Sequence, residues 1–230
     1  GEIRGFEERA LTMIEMTERA LSPVVPEQKP GFERWIQREP LGVVLVLAAW
    51  NYPYLIAVNT IIPALLAGNV VVLKHADQTL LCAERLVDAA REAGLPGGVF
   101  QIVHMTHEVA GRAVADPRVS FVSFTGSEQG GRAVHRAAGG QLKAVGLELG
   151  GKDPAYVRAD AKLDVTVESL VDGAFFNSGQ SCCGIERIYV QESLFDDFLK
   201  IELNYLHHHI ILDSDHLHRN TFLSVMQDHQ

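Results

Sequence analysis

The chain has 230 residues, of which 47% are hydrophobic, and its formal net charge at pH 7 is −9. This composition fits a globular protein with one large domain or two modest ones. The acidic balance and the lack of a basic patch argue against a nucleic-acid partner. Prolines and asparagines interrupt the long apolar stretches, so we expect no membrane-spanning helix.

The three cysteines are Cys82, Cys182 and Cys183. They form no Cys-x-x-Cys pair, and two adjacent cysteines cannot easily bond to each other, so no disulfide framework is expected. This usage favours a reducing compartment, and we expect a cytoplasmic protein. The first residues are neither an initiator methionine nor an export signal, and we therefore expect the natural N-terminus to be missing.

The first predicted element is a helix over residues 6–20, where apolar side chains recur at helical spacing opposite charged ones. Pro23, Pro26 and Pro30 end it. The segment that follows, residues 24–39, is either a linker or an extended excursion, and the sequence leaves both open.

From residue 42 onward, apolar strands alternate with amphipathic helices. Strands are predicted at residues 42–48, 69–73, 99–103 and 119–124, and helices at 55–66, 79–93 and 129–138, with a short helix before the fourth strand. Such alternation is typical of βαβ units with a buried parallel sheet and right-handed crossovers. We therefore predict a doubly wound α/β domain over residues 1–149, with ligands bound at the carboxyl ends of its strands.

The pattern changes after Gly150. Residues 154–157 and 187–191 are predicted strands and residues 165–176 a predicted helix, which places the start of a second α/β domain at residues 150–200.

Residues 201–230 form an atypical tail rich in histidine. Its clustered histidines are His207, His208, His209, His216 and His218. Consecutive histidines cannot all face one ion, and no thiol or organised set of carboxylates lies beside them, so we predict no metal site.

Cys182 lies in a segment of small residues, Asn177 to Cys183, rather than in a bulky apolar run. A nucleophilic thiolate needs a lowered pKa and an approach for substrate, and small neighbours leave backbone amides and space available. Cysteine is also among the most buried residue types. The residues alone therefore leave two interpretations open: Cys182 is a nucleophile, or Cys182 and Cys183 are packed core thiols.

Glu148 lies between two leucines and directly before a glycine pair, in the sequence LELGGK at residues 147–152. We expect a carboxylate flanked in this way to be desolvated, which would raise its pKa toward the range of a general base. The alternative is a solvated glutamate at the end of a strand.

These two motifs, with Cys182 lying 34 positions after Glu148, resemble the aldehyde dehydrogenase superfamily. Three further motifs appear upstream: AWNYP at residues 49–53, VVLK at 71–74 and SFTGS at 123–127. The resemblance covers about residues 22–200. It implies a Rossmann-like NAD(P)-binding domain in residues 1–149, followed by the start of a catalytic domain, in a protein that oxidises an aldehyde to a carboxylic acid. It also implies a homo-oligomer, in which residues 24–39 contact another subunit.

The resemblance implies three catalytic residues. The family places its nucleophile two positions after the glutamine of the Gly-Gln pair, which selects Cys182 over Cys183. Glu148 would activate the water that hydrolyses the resulting thioester. The Asn51 side chain and the Cys182 backbone N–H would form the oxyanion hole. An asparagine before a helix is more simply a cap, but we favour the oxyanion role.

On the cofactor side, Lys74 and Asp77 match the residues that hydrogen-bond the adenosine ribose in the family. A strand-end lysine could instead be simply solvated. A carboxylate near the ribose 2′-hydroxyl repels a 2′-phosphate, so we expect NAD, while Asp77, shorter than the usual glutamate, and His75 leave NADP possible.

The turn after the fourth strand matches the variant pyrophosphate turn of the family. Such a turn offers free amide groups to a phosphate, although it is more often a plain connection between a strand and a helix. Its residues, together with two further cofactor-side positions, are Thr125, Gly126, Ser127, Gly131, Trp50 and Leu149.

After Lys200 the motifs stop, and the family's second cofactor motif, with its ribose-binding glutamate, is missing. Two functions therefore remain: an aldehyde dehydrogenase, or a catalytically incompetent fragment that binds nucleotide weakly or only associates with a partner. We expect little dehydrogenase activity from this chain. Lys152 is expected to be an ion-pair or helix-cap partner, and Arg187 a packed or paired strand residue.

Overall fold

The computed structural model describes residues 1–209 and 222–226, with the backbone alone for residues 206–209 and 222–226. The chain forms two compact units, Gly1–Leu149 and Gly150–Gln230. No helix among the described residues is both long enough and apolar enough to cross a membrane.

The first unit is a five-stranded parallel sheet with helices between its strands. Its strands are β1 (Val43–Leu47), β2 (Val70–Lys74), β3 (Phe100–Ile102), β4 (Val119–Thr125) and β5 (Ala144–Glu148). Its helices are α1 (Glu2–Leu21), α2 (Pro53–Leu66), α3 (Leu80–Glu92), α4 (His107–Ala115) and α5 (Glu128–Ala138). The strand order is β3-β2-β1-β4-β5. The prediction of a doubly wound parallel sheet is confirmed.

The central strand β1 is buried on both faces, since successive side chains of a strand point to opposite sides. Val44 and Val46 pack in a cluster that includes side chains of α2 and α3. Leu45 and Leu47 pack in a second cluster with side chains of α4 and α5. Burial on both faces explains why this strand is a continuous run of valine and leucine.

Several elements begin or end a few residues from their predicted bounds. Helix α1 begins at Glu2 rather than residue 6, and α2 begins at Pro53, a favourable residue for the first helical turn. Strand β5 was not among the predicted strands. It forms the edge of the sheet beside β4, and its residues are mostly exposed.

Residues 24–39 form an extended excursion rather than a bare linker. Val24 and Ile36 exchange two backbone hydrogen bonds of 2.9 and 2.8 Å, and Lys29 pairs with Phe32. Phe32, Trp35 and Ile36 are exposed. The contact of this segment with another subunit stays a prediction.

The second unit has its own sheet and its own core. Its elements are β6 (Asp153–Val157), α6 (Leu163–Phe175), β7 (Ile185–Gln191), α7 (Phe195–His209) and β8 (Phe222–Met226), and the parallel strand order is β6-β7-β8. Side chains of β6, β7, α6 and α7 form one apolar cluster, in which Val157, Ile188 and Phe198 are fully buried.

Leu45 provides a test of the central strand. Its side chain is 1% exposed, so Leu45→Ala removes buried apolar volume that the surrounding sheet cannot refill. We expect the free energy of unfolding to fall by about 2–5 kcal/mol in urea denaturation. Leu142, which is 97% exposed, provides the control, and Leu142→Ala should leave the transition nearly unchanged. Equal effects of the two substitutions would contradict the two-faced core.

Candidate active site and nucleotide-binding edge

Four strands of the first sheet end at residues that the sequence singled out. Trp50 and Asn51 follow β1, Lys74 ends β2, and Thr125 and Glu148 end β4 and β5. The carboxyl ends of parallel strands meet at one edge of the sheet. The strand order reverses between β1 and β4, and this switch point is where such sheets bind ligands.

The register of the sheet aligns these strand ends. Leu47 of β1 pairs with Lys74 on one side and with Phe124 on the other. On the next pair of strands, Thr125 lies opposite Glu148, and the Gly126 amide donates to the Glu148 carbonyl at 3.0 Å. The structure therefore places the motif residues of this unit along one edge.

Asn51 lies in the turn between β1 and α2 and is half-buried. The N-cap position of α2 belongs to Tyr52, not to Asn51. The first amides of α2 are capped by a residue far away in the sequence. The Glu2 carboxylate accepts hydrogen bonds from the Tyr54 and Leu55 amides at 2.7 and 3.1 Å. The simple reading of Asn51 as the cap of this helix is therefore wrong, and sequence reasoning missed Glu2.

Lys74 and Asp77 form an ion pair after β2, with 3.3 Å between Nζ and Oδ1. The Lys74 side chain is only 9% exposed, while that of Asp77 is 74% exposed. The alternative of a solvated strand-end lysine is therefore wrong. A largely buried ammonium is held against a carboxylate that faces solvent.

The turn after β4 leads directly into α5. Ser127 is the N-cap of that helix, and its hydroxyl oxygen accepts from the Gly130 amide at 3.1 Å. A side chain at Gly126 would meet the Phe124 ring, and one at Gly131 would lie 2.6 Å from a Leu149 methyl group. Glycine at these two positions therefore allows the turn and the helix to pack closely.

Glu148 is exposed, so the expectation that it is desolvated is wrong. The flanking leucines cannot cover it, because neighbouring side chains in a strand point to the opposite face. Leu147 is itself exposed, and β5 lies at the edge of the sheet.

Cys182 and Cys183 are both exposed, so the reading of packed core thiols is wrong. The loop that leads to them contains three consecutive residues with left-handed backbone: Asn177 (φ 52°), Ser178 (φ 59°) and Gly179 (φ 73°). Left-handed backbone is unfavourable for residues other than glycine by about 1–2 kcal/mol each. The backbone that leads to the cysteines is therefore locally strained.

The strands beside the cysteine loop are joined by polar contacts. Lys152 forms an ion pair with Glu186, and the Arg187 guanidinium donates to the Lys152 carbonyl at 2.7 and 3.2 Å. The structural roles predicted for Lys152 and Arg187 are confirmed. The Cys182 carbonyl would lie 3.0 Å from a side chain added at Gly151, which explains a glycine there.

Sequence reasoning missed the importance of His75, whose side chain is fully buried. Burial lowers the pKa of its imidazole below the ordinary value, and the neighbouring Lys74 charge acts in the same direction. A histidine after an apolar strand carries no signal that would distinguish this position from a solvated one.

Among the described residues, no three histidine, cysteine or acidic side chains are grouped closely enough to hold a metal ion. The side chains of the tail histidines lie outside the described residues. The absence of a metal site in the tail stays a prediction.

A model of the aldehyde dehydrogenase family matches residues 1–225, nearly the whole chain. This chain belongs to the aldehyde dehydrogenase family. The match reaches past residue 200, where the sequence motifs ended.

Curated relatives with similar sequences are named for different aldehydes. The chain is 48% identical over 165 residues to the phenylacetaldehyde dehydrogenase of Pseudomonas fluorescens, covering 71% of this chain and 33% of that protein. It is 42% identical over 161 residues to succinate-semialdehyde dehydrogenase [NADP(+)] 1 of Mycobacterium tuberculosis, covering 70% and 35%. The chain thus spans about a third of the length of the curated relatives it matches.

Solved structures give the same family. The NAD-dependent aldehyde dehydrogenase of Sinorhizobium meliloti matches with a TM-score of 0.85 at 37% identity, over 90% of this chain and 41% of that one. The lactaldehyde dehydrogenase of Escherichia coli matches with a TM-score of 0.85 at 33% identity, over 90% and 44%.

Thiol labelling tests the exposure of the cysteines. Cys182 and Cys183 are exposed, whereas Cys82 is half-buried. We expect about two thiols per folded chain to react rapidly with Ellman's reagent, and the third only on unfolding. Cys182→Ser and Cys183→Ser should each remove one rapid thiol. If no thiol of the folded chain reacted rapidly, the interpretation of Cys182 and Cys183 as packed core thiols would be supported instead.

Proposed function

We propose that this protein oxidises an aldehyde to a carboxylic acid with NAD(P), with Cys182 as the nucleophile. The observation that carries the proposal is the alignment of Asn51, Lys74 and Thr125 at the switch point of a doubly wound sheet. Membership of the family and the exposure of Cys182 support it.

The residues at the edge of the sheet fit a dinucleotide. Lys74 and Asp77 offer a donor and an acceptor to the two hydroxyls of a ribose. The start of α5 offers backbone amides to a pyrophosphate, close to the small residues Gly126 and Ser127. Trp50 is exposed after β1, and Leu149 packs near Gly131 on the far side of the turn. A bound nicotinamide would supply the hydride acceptor.

The proposed chemistry begins at the Cys182 sulfur, whose thiolate adds to the aldehyde carbon and forms a C–S bond. The carbonyl oxygen then carries negative charge, which the Asn51 amide and the Cys182 backbone N–H would stabilise by donating hydrogen bonds. Loss of hydride from that carbon leaves a thioester on Cys182.

Glu148 would complete the reaction by taking a proton from a water molecule that attacks the thioester carbon. The carboxylic acid leaves, and the thiolate of Cys182 is restored. The exposed carboxylate of Glu148 is accessible to water, so its proposed role does not depend on the desolvation expected from the sequence.

The choice between the two adjacent thiols can be tested by measuring formation of reduced nicotinamide with a panel of aldehydes. Cys182→Ala should lower turnover by about a thousandfold or more, because it removes the sulfur that forms the thioester in the proposed mechanism. Cys183→Ala, the matched control, should retain most of the activity. Retained turnover in Cys182→Ala would contradict the proposal.

The same assay separates the alternative function. A chain that binds nucleotide but shows no turnover with any aldehyde would be the catalytically incompetent fragment. We expect low turnover from the 230-residue chain.

NAD is the proposed cofactor, with NADP as the alternative. The exposed Asp77 carboxylate would accept a hydrogen bond from a ribose 2′-hydroxyl and repel a 2′-phosphate. Relatives named for either cofactor are similar to this chain, so the choice depends on its own residues.

Replacing Asp77 tests this choice. Asp77→Asn should shift the ratio of NADP to NAD affinity toward NADP by about tenfold, which corresponds to about 1.4 kcal/mol of lost repulsion. Asp88→Asn removes the same charge from an exposed pair with Arg91 on α3, so it controls for net charge. Titration calorimetry with both nucleotides gives the ratio, and an unchanged ratio would remove Asp77 from cofactor selection.

A further inference from the structure

The imidazole of His75 joins two loops at the carboxyl edge of the first sheet. Its Nε2 lies 3.0 Å from the carbonyl oxygen of Pro53, at the start of α2, and its Nδ1 lies 2.8 Å from the Thr79 hydroxyl. The side chain is fully buried. One loop follows Asn51, and the other carries the Lys74–Asp77 pair.

These contacts fix the tautomer of His75. A carbonyl oxygen can only accept, so Nε2 must carry the proton that is donated to Pro53. Nδ1 is then an acceptor in the neutral ring, and the Thr79 hydroxyl donates to it. The Ala76 amide also donates to Nδ1, at 3.2 Å. In the neutral ring Nε2 donates and Nδ1 accepts, so both nitrogens have partners.

Protonation would turn Nδ1 into a donor that faces the Ala76 amide, which is also a donor. The Thr79 hydroxyl can turn toward the Ala76 carbonyl, 3.4 Å away, and its oxygen can then accept from the protonated Nδ1. The Ala76 amide is part of the backbone and cannot turn in this way without moving the loop. A charged imidazole would therefore displace the segment between Lys74 and Thr79, which includes Asp77.

The groups around His75 shift its pKa in both directions, and the net shift is downward. Burial is the largest influence and lowers the pKa of His75, the Pro53 hydrogen bond raises it, Lys74 lowers it, and Glu2 of α1 raises it. Next to Pro53 on α2, Tyr54 stays neutral, because burial and then its contact with Cys82 of α3 raise its pKa.

We propose that neutral His75 is a positioning residue, which holds the Lys74–Asp77 pair in place for the ribose by tying its loop to the start of α2. The proposal rests on the proposed function, since the ribose is that of the nucleotide. It follows that acid loosens this loop and weakens nucleotide binding.

The sign of the effect on stability follows from the lowered pKa. Above the ordinary histidine value of about 6.5, the folded and unfolded chains both hold a neutral ring, and the contacts of His75 are fully present. Below that value the unfolded chain takes up a proton first. The stability contributed by the neutral ring is therefore lost as the pH falls through the pKa of the folded chain.

Hydrogen exchange of the amides at residues 75–79 tests the loop without nucleotide. Rates would be corrected for intrinsic exchange and compared at about pH 8 and at a series of values from about pH 6 down to about pH 4.5, because the pKa of His75 in the folded chain lies below the ordinary value. We expect protection to fall by about tenfold in acid, as expected for the loss of one buried hydrogen bond. Protection that does not change with pH would overturn the proposal.

Uncharged variants identify His75 as the group that titrates. His75→Gln and His75→Asn replace the ring by amides that cannot be protonated, and the Asn variant serves if the Gln variant does not fold. Either should remove the pH dependence. His135→Gln, at an exposed position on α5, should behave as the unmodified chain. A pH dependence that survives in both His75 variants would overturn the proposal.

Affinity for NAD, measured by titration calorimetry over the same range of pH, tests the positioning role. The unmodified chain should bind about tenfold more weakly in acid, and the His75 variants should show no such change. Loosening of the loop with unchanged affinity would reduce His75 to a purely structural role and overturn the proposal. Absence of binding even at about pH 8, with the exchange pattern intact, would instead refute the proposed function and leave the tie between the loops standing.

Discussion

The burial of β1 on both faces is the constraint on which the first unit depends. Its alternate side chains enter two different apolar clusters, so a shift of its register by one residue would exchange the two faces. The register in turn aligns Leu47 with Lys74 and with Phe124, which brings the ends of three strands to the same level. The position of the polar side chains at the edge is therefore a consequence of apolar packing several residues away.

The polar residues of this edge carry costs that the apolar core offsets. Lys74 is largely buried, and His75 is fully buried. A buried polar group costs free energy unless each donor and acceptor finds a partner. Asp77 provides the partner for the lysine, and Pro53 and Thr79 provide those for the histidine. Pro53 and Thr79 belong to two different loops, so the hydrogen bonds that satisfy the buried His75 also hold these two loops together.

The sequence predicted the parts of the fold that local patterns determine. Apolar runs identified four strands of the first sheet, and helical periodicity identified the helices between them. Strand β5 was not predicted, because its mostly exposed residues lack a clear apolar pattern. The burial of Lys74 and the capping of α2 by Glu2 were not predictable, since both depend on segments distant in the chain. The expected desolvation of Glu148 failed for a simpler reason, because flanking residues in a strand lie on its other face.

The separate cores of the two units divide the residues of the proposed nucleotide site from the proposed nucleophile. Val44, Leu45 and their neighbours stabilise the edge that holds Lys74, whereas the loop of Cys182 depends on the cluster around Ile188 and Phe198. Each unit therefore orders its own candidate residues through its own buried contacts. The strained backbone at Asn177 and Ser178 belongs to the second unit, whereas the core beneath Lys74 belongs to the first. In the proposed mechanism, turnover needs residues of both units, whereas nucleotide affinity reports on the first core alone.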